Sequence, residues 1–252
     1  MCLTGYSETN ELTYLIALTQ VLITGTANED HFKKGNDAFD IAMKRRDLTR
    51  NDKVNLMLSI ANVRIAGENR TQDAIEIYKE ADQLIPGNLL ILNNLATAYS
   101  ETSDELDVAM DYVNQAISRH GNRPELIDTK AVILMKLGKL KESLALLTDI
   151  TNFESDPRYW WHRAEVEFKM HQATSDSSYL EAARKHYKLA QSLKLANQVF
   201  TPNEEARLDD LEKKLSAQTS PATGADPPAP SDNSSLKIKY NLSTQNGMQV
   251  TI

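Results

Sequence analysis

The residues able to do chemistry are few, and their spacing suits recognition better than catalysis. Five histidines, His31, His120, His162, His171 and His186, are scattered along the 252 residues. There is no glycine-rich phosphate loop, no His-Glu-x-x-His zinc motif and no nucleophile elbow. Cys2 is the only cysteine, so neither an intrachain disulfide nor a cysteine metal cluster can form. The pattern therefore indicates no enzyme, no cofactor and no metal, and the histidines read as ordinary surface or packing residues. What remains is chemistry for gripping another chain. The adjacent amides of Asn93 and Asn94 can hold an extended backbone through hydrogen bonds. Trp161 offers a rigid apolar anchor.

The elements that must position these residues are written in a repeat. Ala74, Tyr78 and Ala81 recur as Ala109, Val113 and Ala116, then as Ser143, Leu147 and Ile150, at steps of 35 and 34 residues. Offsets of four and then three put each triplet on one helical face. A small first residue lets a neighbouring helix approach, and the larger ones fill the space beside it. Ala183, Tyr187 and Ala190 restate the pattern, and Ala38, Ala42 and Arg45 precede it more loosely. Upstream of each triplet a partner helix carries a large apolar slot, Leu58, Leu92, Ile127 or Trp160, and a small one, Asn62, Ala96, Ala131 or Ala164.

Two-helix units recurring every ~34 residues are the signature of tetratricopeptide repeats, and the chain resembles a bacterial-type array of that family. The resemblance covers about 185 residues; Pro86 matches the family's inter-unit proline, Pro124 comes slightly late, and Gly138 is the one copy of its usual glycine. It implies an all-α fold, an α-α superhelix: a right-handed solenoid of about five helix pairs plus a capping helix over residues 10–217, best supported over 52–150. It also implies a concave groove lined by the first helix of each unit. With Leu92, Ile127 and Trp160 buried, the groove would present Asn93 and Asn94, Asp128 and Thr129, and Trp161 and His162, with Arg158 one turn before His162. The competing reading makes Asn93 and Asn94 a solvated face and has Trp160 and Trp161 fill a gap opened by an insertion. Family members that clamp terminal carboxylates use Lys, Asn and Arg at set positions. Asn94 fits the middle slot, but Ser59, Val63, Glu125 and Thr129 stand where the others belong, so that clamp is not expected.

Local signals place the helix ends. The first pair spans Asn10 to Thr24 and Glu29 to Arg46, with Asn28 as cap and Gly35 weakening the second helix. Asp52 to Ala66 should stop at Gly67 in the left-handed conformation, with Asn69 and Gln72 spaced as a capping box before the next helix. Thr102 and Glu105 are spaced likewise. Pro124, Gly138 and the Asp156-Pro157 pair mark further boundaries. Ala164 to Ala183 spans 19 residues where Ala131 to Ser143 spans 12, and the extra residues fall in Gln172 to Ser178 as a polar loop. Thr201, Pro202 and Glu204 open a charged last helix to about Leu215.

The remainder bounds compartment and partners. Hydrophobic content of 41% with only 6% aromatic suits helices packed through Ala and Leu. A net charge of −7 disfavours a nucleic-acid surface, and the Lys44-Arg45-Arg46 run reads as a helix C-terminal charge complement. Leu12 to Gly25 is apolar but follows Glu8 and Glu11 and contains Gln20, so it reads as a buried helix instead of a signal or membrane span, and a cytoplasmic protein is expected. Residues 218–235, with four prolines between Pro221 and Pro230, read as a disordered linker. Residues 236–252 alternate as strands around Asn246-Gly247, for a weak hairpin, a strand added to another protein's sheet, or a frayed tail. These features make the chain a scaffold or adaptor that binds a peptide or protein segment in the groove, with no small-molecule substrate. The alternative is a C-terminal regulatory or assembly portion of a larger repeat-containing enzyme or a cell-envelope or secretion system protein.

Overall fold

The computed structural model describes residues 12–23, 27–102, 104–151, 156–197, 200 and 202–218. By internal contacts the chain divides into Met1–Gln218 and Thr219–Ile252. The linker and β-prone tail, Cys2, Gly25 and the Thr201 cap lie outside the described residues.

Eleven α-helices follow one another among the described residues: α1 (Leu12–Ile23), α2 (Glu29–Met43), α3 (Arg50–Asn62), α4 (Thr71–Leu84), α5 (Leu89–Ser100), α6 (Leu106–His120), α7 (Pro124–Lys136), α8 (Leu140–Thr151), α9 (Pro157–Thr174), α10 (Ser177–Asn197) and α11 (Pro202–Ala217). They pack in sequence as five pairs, α1 with α2 through α9 with α10, and α11 packs on α10 and α9. Short connections force each helix back against the one before it, so the apolar stripe of each is buried by its neighbours in the chain. None of these helices is long and apolar enough to cross a membrane.

The repeating triplets form the seam. Ala74, Ala109, Ser143 and Ala183 are fully buried, and the larger members Tyr78, Val113, Leu147 and Tyr187 are buried beside them. Burying each of these larger side chains contributes roughly 1.5–3 kcal/mol, and the small residues above them set how closely the helices approach. Ser143 keeps its hydroxyl satisfied by donating to the Ala131 carbonyl at 2.7 Å, which ties α8 to α7 at the small-residue slot of the repeat. Asn62 likewise accepts from the Tyr78 hydroxyl at 2.8 Å, and burial holds that phenol well above its ordinary pKa.

Several helix ends differ from the sequence expectation. Gly67 does not take the left-handed conformation; Asn69 does, at φ 54°. Gly67 closes a π-helical turn, Val63–Gly67, and a Cβ there would lie 2.5 Å from the Phe32 ring. Glycine is present for close approach, not for the turn. Gly35 works the same way: its Cβ would meet Leu22 of α1 at 2.7 Å, so the residue that weakens α2 locally lets α1 dock. The Asn69–Gln72 capping box does not form, because Asn69 is consumed by the turn and Arg70 precedes α4 without a side-chain cap. Thr102 and Glu105 contact each other side chain to side chain at 3.0 Å instead of capping α6. Reciprocal boxes appear at Asn28–His31 and Thr49–Asp52, where His and Asp replace the usual Glu.

The expected polar loop from Gln172 to Ser178 is also absent. The insertion is absorbed by lengthening both helices of the last pair, to 18 residues in α9 and 21 in α10. Only Ser175, left-handed at φ 60°, and Asp176 remain as the turn. Continuing both helices keeps every added backbone group hydrogen-bonded, whereas a seven-residue loop would leave many to solvent.

Candidate protein-binding face

The first helices of successive pairs, α5, α7 and α9, lie side by side and carry the residues expected to line the groove. Asn93 and Asn94 on α5 are half-buried. The Asn93 amide oxygen has no hydrogen-bond partner among the described residues. The Asn88 side chain caps the same helix, accepting from the Leu90 and Ile91 amides.

One pair along, Asp128 and Thr129 of α7 are buried. Thr129 turns its hydroxyl back to the Glu125 carbonyl at 3.0 Å and offers nothing outward. Asp128 reaches across to α9, where both carboxylate oxygens contact His162 Nδ1, at 2.8 and 3.0 Å. Burial pulls the His162 imidazole down, but the Asp128 charge and hydrogen bond outweigh it, with help from Glu165, and leave its pKa raised. Asp128 and His162 thus form a tie between neighbouring inner helices.

At α9 the two tryptophans exchange their expected roles. Trp160, read as the buried slot, is half-buried, with His186 5.3 Å from its ring and Arg163 stacked over it. Trp161, read as an open anchor, is 1% exposed. The cause is the C-terminal helix, which sequence reading treated only as an end cap. Leu208, Leu211 and Leu215 of α11 join Trp161, Ala164 and Phe168 in one cluster. Phe200 meets the Trp161 ring edge-on at 5.7 Å, and Arg207 stacks over it at 4.9 Å. Arg158 is drawn into the same closure through Glu204, at 3.0 Å, and Asp156.

A chain of charges runs along the rim. Lys136 of α7 donates to the Ser100 carbonyl at 2.7 Å and to Glu101 at 2.8 Å, complementing the C-terminal end of α5. Arg207 of α11 also approaches Glu101, at 3.8 Å, and Glu165 at 3.6 Å. A separate network links α9 to α10 beneath the surface, where Glu167 accepts from Arg163 at 3.1 Å and contacts His186 Nδ1 at 2.7 Å. Sequence reading missed this network, although Arg163–Glu167 is an i, i+4 pair. Among the described residues no group of three or more His, Cys, Asp or Glu is placed to hold a metal ion.

The structure brings Asp128, His162, Trp161 and Arg158 into one closed region at the α9 end, and leaves Asn93 and Asn94 part-exposed on α5. No protein-family profile matches the chain. Nor does any curated protein match it. Solved structures do: the tetratricopeptide-repeat protein TTC0263 of Thermus thermophilus superposes with a TM-score of 0.60 at 15% identity, over 82% of this chain and 98% of that one. A Podosopora anserina protein with nearly identical TPR-like repeats gives 0.50 at 14% identity, over 74% and 96%. At such identities the likeness establishes the fold alone: the chain has a tetratricopeptide-repeat-like fold of sequential helix pairs.

Proposed function

We propose that this chain is a non-enzymatic scaffold that binds a segment of a partner protein along its inner helices, with Asn93 and Asn94 as the polar contacts at the α5 end. A fold of this kind suits protein partners. The observation that carries the site is the state of equivalent positions on neighbouring helices. Asp128 is engaged by His162 and Trp161 is covered, whereas the Asn93 amide oxygen is left without a donor among the described residues. The Asn93 oxygen is buried as well as unpaired, a state that costs roughly 1–3 kcal/mol, and a rotation of this half-buried side chain would let it accept from a backbone N–H of a bound segment. The half-buried Asn94 alongside extends the amide pair by which such a backbone is held.

The test is quantitative affinity capture from the native source, comparing the parent chain with the Asn93→Ala/Asn94→Ala double variant. Capture of the main partner should fall at least fivefold while helical circular dichroism is unchanged. Undiminished capture would overturn the assignment.

A further inference from the structure

The feature left over is the way α11 sits on α9. Its apolar face is well seated, with Leu208, Leu211 and Leu215 buried. Its polar fit is poor. The Trp161 indole N–H is buried with no acceptor among the described residues, and Glu165 Oε2 is buried 3.6 Å from the Arg207 guanidinium, beyond hydrogen-bond reach. Between α9 and α11 there remains a crevice of about 110 Å³ lined by residues including Glu165, Phe168, Arg207, Asp210 and Leu211. Tight interiors satisfy their polar groups and leave few voids, so this is a surface covered by a serviceable but imperfect occupant.

We propose that α11 is a replaceable occupant of this face: it shields Trp161 in cis, and the segment bound there in trans is an amphipathic helix of a partner protein with the same face. That face is readable from α11. Glu204 meets Arg158 and Glu205 meets Lys194 in the first turn, Arg207 faces Glu165 and Glu101, and leucines follow at 208, 211 and 215. Helix-in-groove recognition uses this i, i+3, i+7 spacing of anchors. A better occupant would add an acceptor for the Trp161 N–H and a donor for Glu165. Because α11 is tethered, it competes at high effective concentration, and a free helix binds only when it gains more than α11 does.

The inference deepens the proposed function, since it concerns the α9 end of the same inner face. Its test uses the full chain with Trp160→Phe, leaving Trp161 as the sole tryptophan, and a labelled peptide of residues 202–218 as probe. Leu208→Asp/Leu211→Asp in the chain should red-shift Trp161 emission. The peptide should bind this variant at least tenfold more tightly than the parent and return the emission to blue, and a peptide carrying the same two substitutions should not bind. Equal binding to both chains, or none to a variant that keeps its helical dichroism, overturns the proposal. So does a parent chain that dimerises by exchanging α11. If the Asp variant loses its helical dichroism, Glu204→Ala/Arg207→Ala, which lies wholly on α11 and keeps both the leucines and the receiving face, must still raise peptide binding at least threefold, and no increase overturns it. Failure here leaves the Asn93/Asn94 capture result to judge the broader reading separately.

Discussion

His162 Nδ1 of α9 lies 2.8 and 3.0 Å from the two carboxylate oxygens of Asp128 on α7, across 34 residues of sequence. One repeat of the solenoid therefore brings a titratable base of one inner helix onto the acid of the inner helix before it.

That contact makes stability depend on pH in a defined direction. The His162 pKa is raised in the folded chain above its ordinary 6.5, so folding favours the protonated form. The stabilisation is fully present below about pH 6.5 and is lost as pH rises through the folded pKa. Thermal melts at pH 6 and pH 8.5 should show a lower midpoint at the higher pH, and His162→Gln should shrink the difference. An unchanged difference in that variant would assign the pH dependence elsewhere.

Removing the acid should cost more than removing the proton. Asp128→Ala leaves a buried imidazole without its partner, a change that typically destabilises by about 3–5 kcal/mol. Glu167→Ala, which removes the buried carboxylate shared by Arg163 and His186, belongs in the same range. Urea unfolding of the two variants checks both values.

Ser143 is a different kind of seam residue from the alanines it replaces. Ser143→Ala removes the donor to the Ala131 carbonyl without opening a cavity, so it should cost about 1 kcal/mol. Ser143→Leu must force α7 and α8 apart and should cost roughly 1–3 kcal/mol through overpacking. Denaturant midpoints with unchanged m-values would establish both.

The glycines separate into two mechanisms. Gly138, at φ 76° with nothing near its missing Cβ, should lose roughly 1–2 kcal/mol as Ala through backbone strain and recover most of it as Asn. Gly67 carries no such strain, so Asn should be no better than Ala there, because both collide with Phe32. Comparing the four variants by thermal melting distinguishes the cases.

Most of the fold was legible because the packing of a solenoid is local. Each triplet such as Ala74, Tyr78 and Ala81 records only which helical face meets the next helix, and that face repeats with the unit. Prolines 86, 124, 157 and 202 fix the junctions through backbone geometry alone. The proposed binding face was legible only as a set of positions. Asn93 and Asn94 are half-buried whereas Trp161 is covered outright, because α11 is a terminal element with no repeat partner to announce where it will lie.

The sequence by itself determined the two-helix unit, its ~34-residue period and the small-residue seam, since periodic burial against a chain neighbour leaves a periodic trace. Only the tertiary structure decided that the last pair lengthens instead of looping, that Asp128 holds His162, and that Trp161 lies under Leu208, Phe200 and Arg207. These contacts join residues 34 to 47 positions apart, through side-chain geometry that no periodicity encodes.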